Sequence, residues 1–223
     1  YTPFSSILRG FILPKFFLEN CGAYLAAIRS IGRTEEYFYM PVFESAAMIP
    51  PQTRREALTE VRAQLDTVSG SILNIRVGGN DLSHAFGLRR PANRTIYDLR
   101  PVADILIDIV AAFGTQYVVS GPVWEYYSGE GWEEGLRREM ELDLLNGFTG
   151  KTVIHPNQIP VVNEMLRVSQ QDYADARAIL NWDTGSGSLV SASEDGGRMN
   201  EYNTHSRWAR RIVLRAERYG VRA

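Results

Sequence analysis

Short, continuously apolar runs alternate with longer amphipathic stretches along most of the chain. Apolar runs without polar alternation are typical of parallel strands that are buried on both faces. The pattern predicts strands over residues 11–16, 37–43, 72–77, 116–120 and 151–154. Between them, helical periodicity predicts helices over residues 18–31, 51–68, 97–113 and 133–146. Strands that alternate with helices in this way indicate repeated βα units and an α/β fold with a parallel sheet.

The spacing of these units is that of a TIM (β/α)8 barrel, which repeats one strand and one helix around a closed ring. A complete barrel typically has about 250 residues and eight strands. This chain has 223 residues and only five predicted strands. We therefore expect either an open sheet or a barrel whose N-terminal strands, about three βα units, would precede Tyr1.

The residues after the last predicted strand have a different pattern. Helices are predicted over residues 170–180 and 205–219, and the Gly- and Ser-rich residues 183–197 between them predict a mobile loop. The last helix has an apolar stripe surrounded by arginines, which indicates a solvated face or, alternatively, an anion-binding one. The predicted parts are a barrel domain (1–182), a flexible loop (183–198) and a C-terminal helical extension (199–223).

Composition and charge exclude several classes of function. The chain has 44% hydrophobic and 22% charged residues, as globular proteins do. Its formal net charge of -2 provides no overall basic field for nucleic acid or an anionic membrane. No apolar run reaches the roughly 18 residues of a membrane-spanning helix. The single cysteine, Cys21, allows neither an internal disulfide nor a thiolate zinc site, which predicts a reducing, cytoplasmic compartment.

Two carboxylates come directly after consecutive predicted strands. Glu44 follows the run 37–43, and Asp81 follows the run 72–77 after Gly78-Gly79-Asn80. The carboxyl ends of parallel strands meet at the edge where α/β folds place their active sites. Two carboxylates at that edge could share a hard cation such as Mg²⁺. A helix cap at Glu44 and a turn hydrogen bond at Asp81 explain the same positions equally well.

Three basic residues are further candidates. Lys15 lies among apolar neighbours and could clamp an anion, act as a Schiff-base nucleophile at a lowered pKa, or snorkel to the surface. Arg76 lies within an apolar run and must be paired, either by a carboxylate substrate or by one of the two acids. His155 follows the last strand and could be a ligand, an acid/base group or a structural histidine. The nearby Gly150-Lys151-Thr152 only imitates a phosphate loop, because no helix is predicted after it.

Several segments match a known family when they are taken together. They are Leu13-Pro14-Lys15, Phe43-Glu44-Ser45-Ala46, Gly78-Gly79-Asn80-Asp81-Leu82, Ser120-Gly121-Pro122 and, most specifically, Gly147-Phe148-Thr149-Gly150-Lys151 with Ile154-His155-Pro156-Asn157-Gln158. The chain resembles the citrate lyase β-subunit and HpcH/HpaI aldolase superfamily of TIM barrels over residues 11–180. The helix around Trp208 is similar to that of a branch associated with tellurium-resistance clusters.

The resemblance implies a carbon–carbon bond lyase or aldolase. It implies that Glu44 and Asp81 hold Mg²⁺, or Mn²⁺ in its place. The ion would stabilise an enolate while a bond of a hydroxy or keto acid, or of its coenzyme A thioester, is broken or made. Lys15 and Arg76 are the expected catalytic residues. The expected substrate contacts are Gly79, Asn80, Pro122 and His155. The resemblance also implies a homo-oligomer, a trimer or hexamer, without nucleic-acid or membrane partners.

Two other functions stay open. A Schiff-base aldolase would use Lys15 as its nucleophile and need no metal. A non-catalytic TIM-barrel subunit of a stress-response assembly is the second alternative, because the family's early strands have no counterpart after Tyr1. Those strands carry an acidic motif and a substrate-binding arginine in the family.

Overall fold

Four parallel strands form the central sheet in the computed structural model, which describes residues 7–31, 37–182, 190–193 and 196–222. They are β1 (Gly10–Leu13), β2 (Phe38–Phe43), β3 (Ile75–Val77) and β4 (Val119–Ser120), and they lie in this order. The register aligns Val42 with Arg76, and Arg76 with Ser120. Beyond β4, Lys151 pairs in parallel with Gly121. The sequential parallel order confirms the predicted α/β class of repeated βα units.

The first strand is shorter than the predicted run 11–16. β1 ends at Leu13. Pro14 has no N–H to donate to a neighbouring strand, and Lys15 adopts a left-handed backbone conformation with φ of 50°. A non-glycine residue pays a steric cost in that region, so the backbone turns sharply at Lys15. This turn takes the lysine out of the sheet and to its carboxyl edge.

The last predicted strand, 151–154, is wrong beyond its first residue. Only Lys151 pairs with the sheet. The backbone N–H of Ile154 donates instead to the side-chain Oε1 of the buried Gln158 (2.9 Å). Because a side chain satisfies that amide, the segment leaves the sheet directly after Thr152.

The described part of residues 21–165 contains six α-helices. They are α1 (Cys21–Ser30), α2 (Pro51–Asp66), α3 (Gly79–Ala85), α4 (Arg100–Phe113), α5 (Trp132–Leu145) and α6 (Gln158–Met165). The predicted helix 97–113 is wrong at its start. The Asp98 carboxylate accepts from the backbone N–H of Thr95 (2.7 Å) and closes a separate 3-10 turn. Pro101 then lies in the first turn of α4, where its missing N–H costs nothing.

The core lies between one face of the sheet and helices α2 and α4. The rings of Phe43 on β2 and Phe113 on α4 have centroids 4.9 Å apart, and both side chains are fully buried. Ile109, one turn before Phe113, is buried beside them. Between the helices, Arg54 forms an ion pair with Asp108 (2.7 Å), with both side chains nearly buried. These contacts fix the helices behind the strands and leave the carboxyl edge of the sheet open.

The chain divides into two compact units, Tyr1–Ile159 and Pro160–Ala223. In the second unit, α7 (Gln170–Leu180) packs on α8 (Tyr202–Tyr219), β5 (Val168–Ser169) pairs in parallel with β8 (Val221–Arg222), and β6 (Val190–Ala192) pairs antiparallel with β7 (Met199–Glu201). Its small core contains Val168, Ala176, Ile179, Ala209, Ile212 and Ala216. The division thus groups α7 with α8. The predicted domain limits, 1–182, 183–198 and 199–223, separate these two helices and stay a prediction.

The predicted loop 183–197 falls partly outside the described residues, at 183–189 and 194–195. Within it, Val190–Ala192 form a strand paired with Met199–Glu201, so the prediction is wrong for these three residues. None of the helices in the described part of the chain is long and apolar enough to cross a membrane.

Candidate metal and substrate site

Three of the predicted site residues meet at the carboxyl edge of β1, β2 and β3. Glu44 directly follows β2, and Asp81 lies in the first turn of α3, which begins after β3. Lys15 connects the two acids. Its backbone N–H donates to Glu44 Oε1 (3.0 Å), and its ammonium group lies 2.8 Å from Asp81 Oδ1. The two carboxylates, 37 positions apart in the sequence, are therefore held around one residue.

Gly78 makes room for the Glu44 side chain. A Cβ atom at this position would lie 2.3 Å from Glu44 Oε2 and 2.4 Å from Glu44 Cβ, closer than any real contact. The glycine therefore lets the carboxylate lie against the backbone that leads from β3 into α3. This close approach gives the Gly78-Gly79 pair a steric role next to Asp81.

The pKa of the Lys15 ammonium is raised by its contact with Asp81. The hydrogen bond and the negative charge of Asp81 raise the pKa of the Lys15 ammonium, and the charge of Glu44 adds to them. A Schiff-base nucleophile needs a neutral amine and hence a lowered pKa. The pairing with Asp81 thus opposes the Schiff-base alternative and favours Lys15 as a cationic clamp.

Arg76 extends from the middle of β3 and is half-buried. One of its terminal nitrogens donates to Thr152 Oγ1 (3.0 Å). Burial lowers the pKa of the Arg76 guanidinium, while the negative charge of Glu44 opposes that change. An arginine keeps its charge in such surroundings, so Arg76 brings a fixed positive charge close to Glu44.

The oxygen atoms of Glu44 and Asp81 fit a magnesium ion. Mg²⁺ is usually held by one or two carboxylates and keeps its other positions for water and substrate oxygens. The cation that already lies against Asp81 is the Lys15 ammonium, so the site holds positive charge as it stands. Among the described residues, no group of three or more His, Cys, Asp or Glu side chains is arranged to hold a metal. The metal-ligand side chains that meet at Lys15 are therefore two carboxylates, Glu44 and Asp81.

The predicted substrate contacts lie in different surroundings. Gly79 and Pro122 touch, since a Cβ on Gly79 would lie 2.8 Å from Pro122 Cβ. Asn80 is exposed beside Asp81 and lines a cavity of about 380 Å³. His155 stacks on Tyr127, with ring centroids 4.3 Å apart. The Nδ1 atom of His155 accepts a hydrogen bond from the backbone of the following loop, which agrees with its structural alternative.

The whole chain matches one family. Residues 2–221 fit the family described as C–C bond lyase of the TIM-barrel fold. The chain belongs to this C–C bond lyase family. The membership confirms the resemblance that the sequence motifs indicate, and it confirms the TIM-barrel class.

A curated protein similar to part of this chain is the L-malyl-CoA/beta-methylmalyl-CoA lyase of Cereibacter sphaeroides. The two are 38% identical over 74 residues, which are 32% of this chain and 22% of that enzyme. The match thus spans less than a quarter of the relative's length.

Two solved structures show the same fold. CitE from Mycobacterium tuberculosis, in complex with magnesium, acetoacetate and coenzyme A, has a TM-score of 0.58 and 20% identity, and the match covers 92% of this chain and 77% of CitE. A citrate lyase from Burkholderia xenovorans LB400 has a TM-score of 0.69 and 16% identity, over 96% of this chain and 65% of that one. At these identities the likeness concerns the fold.

One buried cluster, Lys151 with Glu139 and Asp143, was not predicted from the sequence. Lys151 belongs to the segment Gly150-Lys151-Thr152, which only imitates a phosphate loop. Its ammonium is buried between Glu139 and Asp143 of α5, at 2.7 Å from each. The available signal is the spacing of the two acids, one helical turn apart on a helix that must bury one face. Without the fold, these two buried acids could not be distinguished from two acids exposed to solvent.

Proposed function

We propose that the chain is a divalent-metal-dependent carbon–carbon lyase that acts on a hydroxy or keto acid or on its coenzyme A thioester. One observation carries the proposal: Lys15 holds Glu44 and Asp81 together at the carboxyl edge of neighbouring parallel strands. Family membership supports the reaction class. The malyl-CoA lyase relative and the magnesium, acetoacetate and coenzyme A bound to CitE support the cofactor and substrate class.

Glu44 and Asp81 would hold Mg²⁺, or Mn²⁺ in its place. When bound, the ion supplies Lewis-acid stabilisation of negative charge that develops on a carbonyl oxygen. Lys15 would turn from Asp81 to a substrate carboxylate, because the metal then neutralises that acid. The Lys15 side chain is 65% exposed, which leaves room for this change.

Arg76 would bind the same or a second carboxylate of the substrate. Its guanidinium can make two parallel hydrogen bonds to a carboxylate, a geometry that a lysine cannot offer. The contact of Gly79 with Pro122 would form the floor of the site, and Asn80 and His155 would lie at its rim. The whole assembly would be a cytoplasmic homo-oligomer, a trimer or hexamer.

The proposal is tested by calorimetric titration of Mn²⁺ into the wild-type chain, with and without oxaloacetate. Glu44→Gln and Asp81→Asn should each abolish Mn²⁺ binding and remain folded, because both side chains keep their size. Asp104→Asn on α4 is the matched control, since Asp104 is exposed and pairs only with Arg100 there (3.7 Å). Oxaloacetate should tighten Mn²⁺ binding in the wild type and in the control.

Two results would count against the metal-dependent lyase. Absence of Mn²⁺ binding in the folded wild type would leave the non-catalytic barrel. Trapping of pyruvate on Lys15 by borohydride, in the presence of EDTA, would establish the Schiff-base aldolase instead. The raised pKa of Lys15 leads us to expect no trapping.

A further inference from the structure

A cluster of four buried charges lies behind the candidate site, and the proposed chemistry does not use it. The side chains of Lys151, Glu139 and Asp143 are 1%, 0% and 2% exposed. Arg90 makes a second ion pair with Glu139 (3.0 Å) and is equally buried. The two positive and two negative charges balance. A buried ion pair contributes little net stability, so the geometry that it imposes is its more informative consequence.

The cluster fixes the backbone at Lys151 and Thr152, where the chain contacts Gly121 at the edge of the sheet. Lys151 pairs with Gly121, and the backbone N–H of Thr152 donates to the Gly121 carbonyl (3.2 Å). Gly121 lies against Asp143, since a Cβ there would be 2.5 Å from Asp143 Oδ2. The Tyr97 hydroxyl donates to the other oxygen of Asp143 (2.8 Å). The Asp143 carboxylate is thus held by Lys151, by Tyr97 and by its close contact with Gly121.

Consecutive residues of an extended segment point to opposite faces. The Lys151 side chain reaches α5, so the Thr152 side chain points the other way. There its hydroxyl accepts the hydrogen bond from Arg76 (3.0 Å). The position of the guanidinium therefore depends on a backbone that the buried charges hold in place.

We propose that Lys151 is a positioning residue for Arg76 and acts through Thr152. The importance of this coupling for catalysis rests on the proposed function, in which Arg76 binds the substrate carboxylate. The coupling itself is a property of the chain and can be measured without metal or substrate.

The first test measures how fast phenylglyoxal modifies Arg76 in the full chain, followed by peptide mass spectrometry. Lys151→Met and Thr152→Val should each speed modification several-fold, because the guanidinium loses its fixed acceptor. Arg54→Met is the matched control, since it also breaks a nearly buried ion pair, with Asp108. It should lower stability without changing the rate at Arg76. An unchanged rate in folded Lys151→Met would overturn the proposal.

Asp143→Asn provides the same test if Lys151→Met does not fold. The asparagine keeps the size of the side chain but removes one of the two carboxylates that bind Lys151. Modification of Arg76 should again be faster than in the wild type. Lys151→Arg, which keeps the charge, should restore part of the wild-type protection. Failure of both results would refute the positioning role.

The second test is a double-mutant cycle on oxaloacetate affinity in the presence of Mn²⁺. Loss of a hydrogen bond to a charged group should raise the Kd by about tenfold in Thr152→Val. Lys151→Met should have a similar effect, and the double variant should be no worse than Lys151→Met alone. Mn²⁺ affinity should not change. Additive effects would overturn action through Thr152.

The two tests separate the two proposals. If the wild type binds neither Mn²⁺ nor oxaloacetate, the proposed function fails, while the modification rate at Arg76 still decides the positioning role. If oxaloacetate binds normally and the rates are unchanged, only the positioning role fails.

Discussion

Gly78 is the residue whose missing side chain shapes the candidate site most directly. The Glu44 carboxylate occupies the space where a Cβ atom would be. Lys15, two residues after the end of β1, has a similar role, since its left-handed backbone directs the amide N–H to the same carboxylate. At this scale the site depends on two backbone positions as much as on its charged groups.

Gly78→Ala should therefore weaken Mn²⁺ binding although it removes no ligand. The new Cβ would displace Glu44, and we expect the Mn²⁺ affinity in calorimetry to fall by at least tenfold. The matched control is Gly22→Ala in α1, where a Cβ would meet nothing within 4 Å. That substitution should leave Mn²⁺ affinity unchanged, because the new Cβ would contact nothing. Equal Mn²⁺ affinity in both variants would contradict the steric role of Gly78.

Tyr97 gives a prediction for alkaline pH. Burial, together with the charge and hydrogen bond of Asp143, raises the pKa of the Tyr97 phenol far above its usual value. A raised pKa means that the folded state retains the proton. Its contribution to stability is full below the unfolded value of about 10 and is lost as the pH rises beyond it.

Tyr97→Phe should accordingly make unfolding less sensitive to alkali. Urea unfolding at neutral pH should show a loss of about 1–2 kcal/mol, because Asp143 loses a donor. Above pH 10 or so, the free energy of unfolding should fall less steeply with pH than in the wild type. Tyr219→Phe, at an exposed position on α8, is the control and should keep the wild-type slope. The same slope in both variants would refute the prediction.

At the scale of elements, the packing of α7 on α8 forms the second compact unit. The contact is made by small and branched side chains, among them Ala176 and Ile179 on α7 and Ala209 and Ile212 on α8. Small residues let the two helix backbones approach closely, and the branched ones fill the remaining space. Most arginines of α8 are exposed, whereas Arg215 is partly buried.

Ile212→Ala should destabilise this unit by about 2–4 kcal/mol, because it leaves a cavity between α7 and α8. Ile212 is 6% exposed, whereas Leu214 on the same helix is 65% exposed. Leu214→Ala should therefore change the free energy of unfolding by less than about 0.5 kcal/mol. Urea unfolding followed by circular dichroism measures both. Equal effects would mean that α8 does not pack as described.

At the scale of the whole molecule, the parallel sheet leaves large apolar side chains exposed. Phe11, Ile12, Phe38, Leu73 and Val118 lie on or next to its strands and are between 37% and 51% exposed. Apolar surface of this extent favours association with another protein surface. This exposed surface supports the proposed oligomer.

Light scattering should thus give a mass above that of one chain. We expect about three or six times 25.1 kDa for the proposed trimer or hexamer. High salt should not lower the mass, because apolar contacts are not screened. A mass of 25.1 kDa at every concentration would contradict the assembly.

Much of the fold follows from local sequence. The apolar runs that form β2 and the periodicity of α2 and α4 correctly predict elements, because these segments are long and bury one consistent face. For β1 and α4, the errors concern where the element ends or begins. Pro14 ends β1 because it has no N–H to donate, and the turn at Asp98 delays the start of α4 to Arg100. Such local effects do not change the hydrophobic pattern.

The sequence by itself determines the βα repeat and places Glu44 and Asp81 after consecutive strands, because each follows from the order of residues along the chain. Only the tertiary structure decides that Lys15 lies between them, since three loops must converge for this contact. It alone also buries Lys151, because hydrophobic pattern cannot distinguish a charge paired inside the protein from one in water.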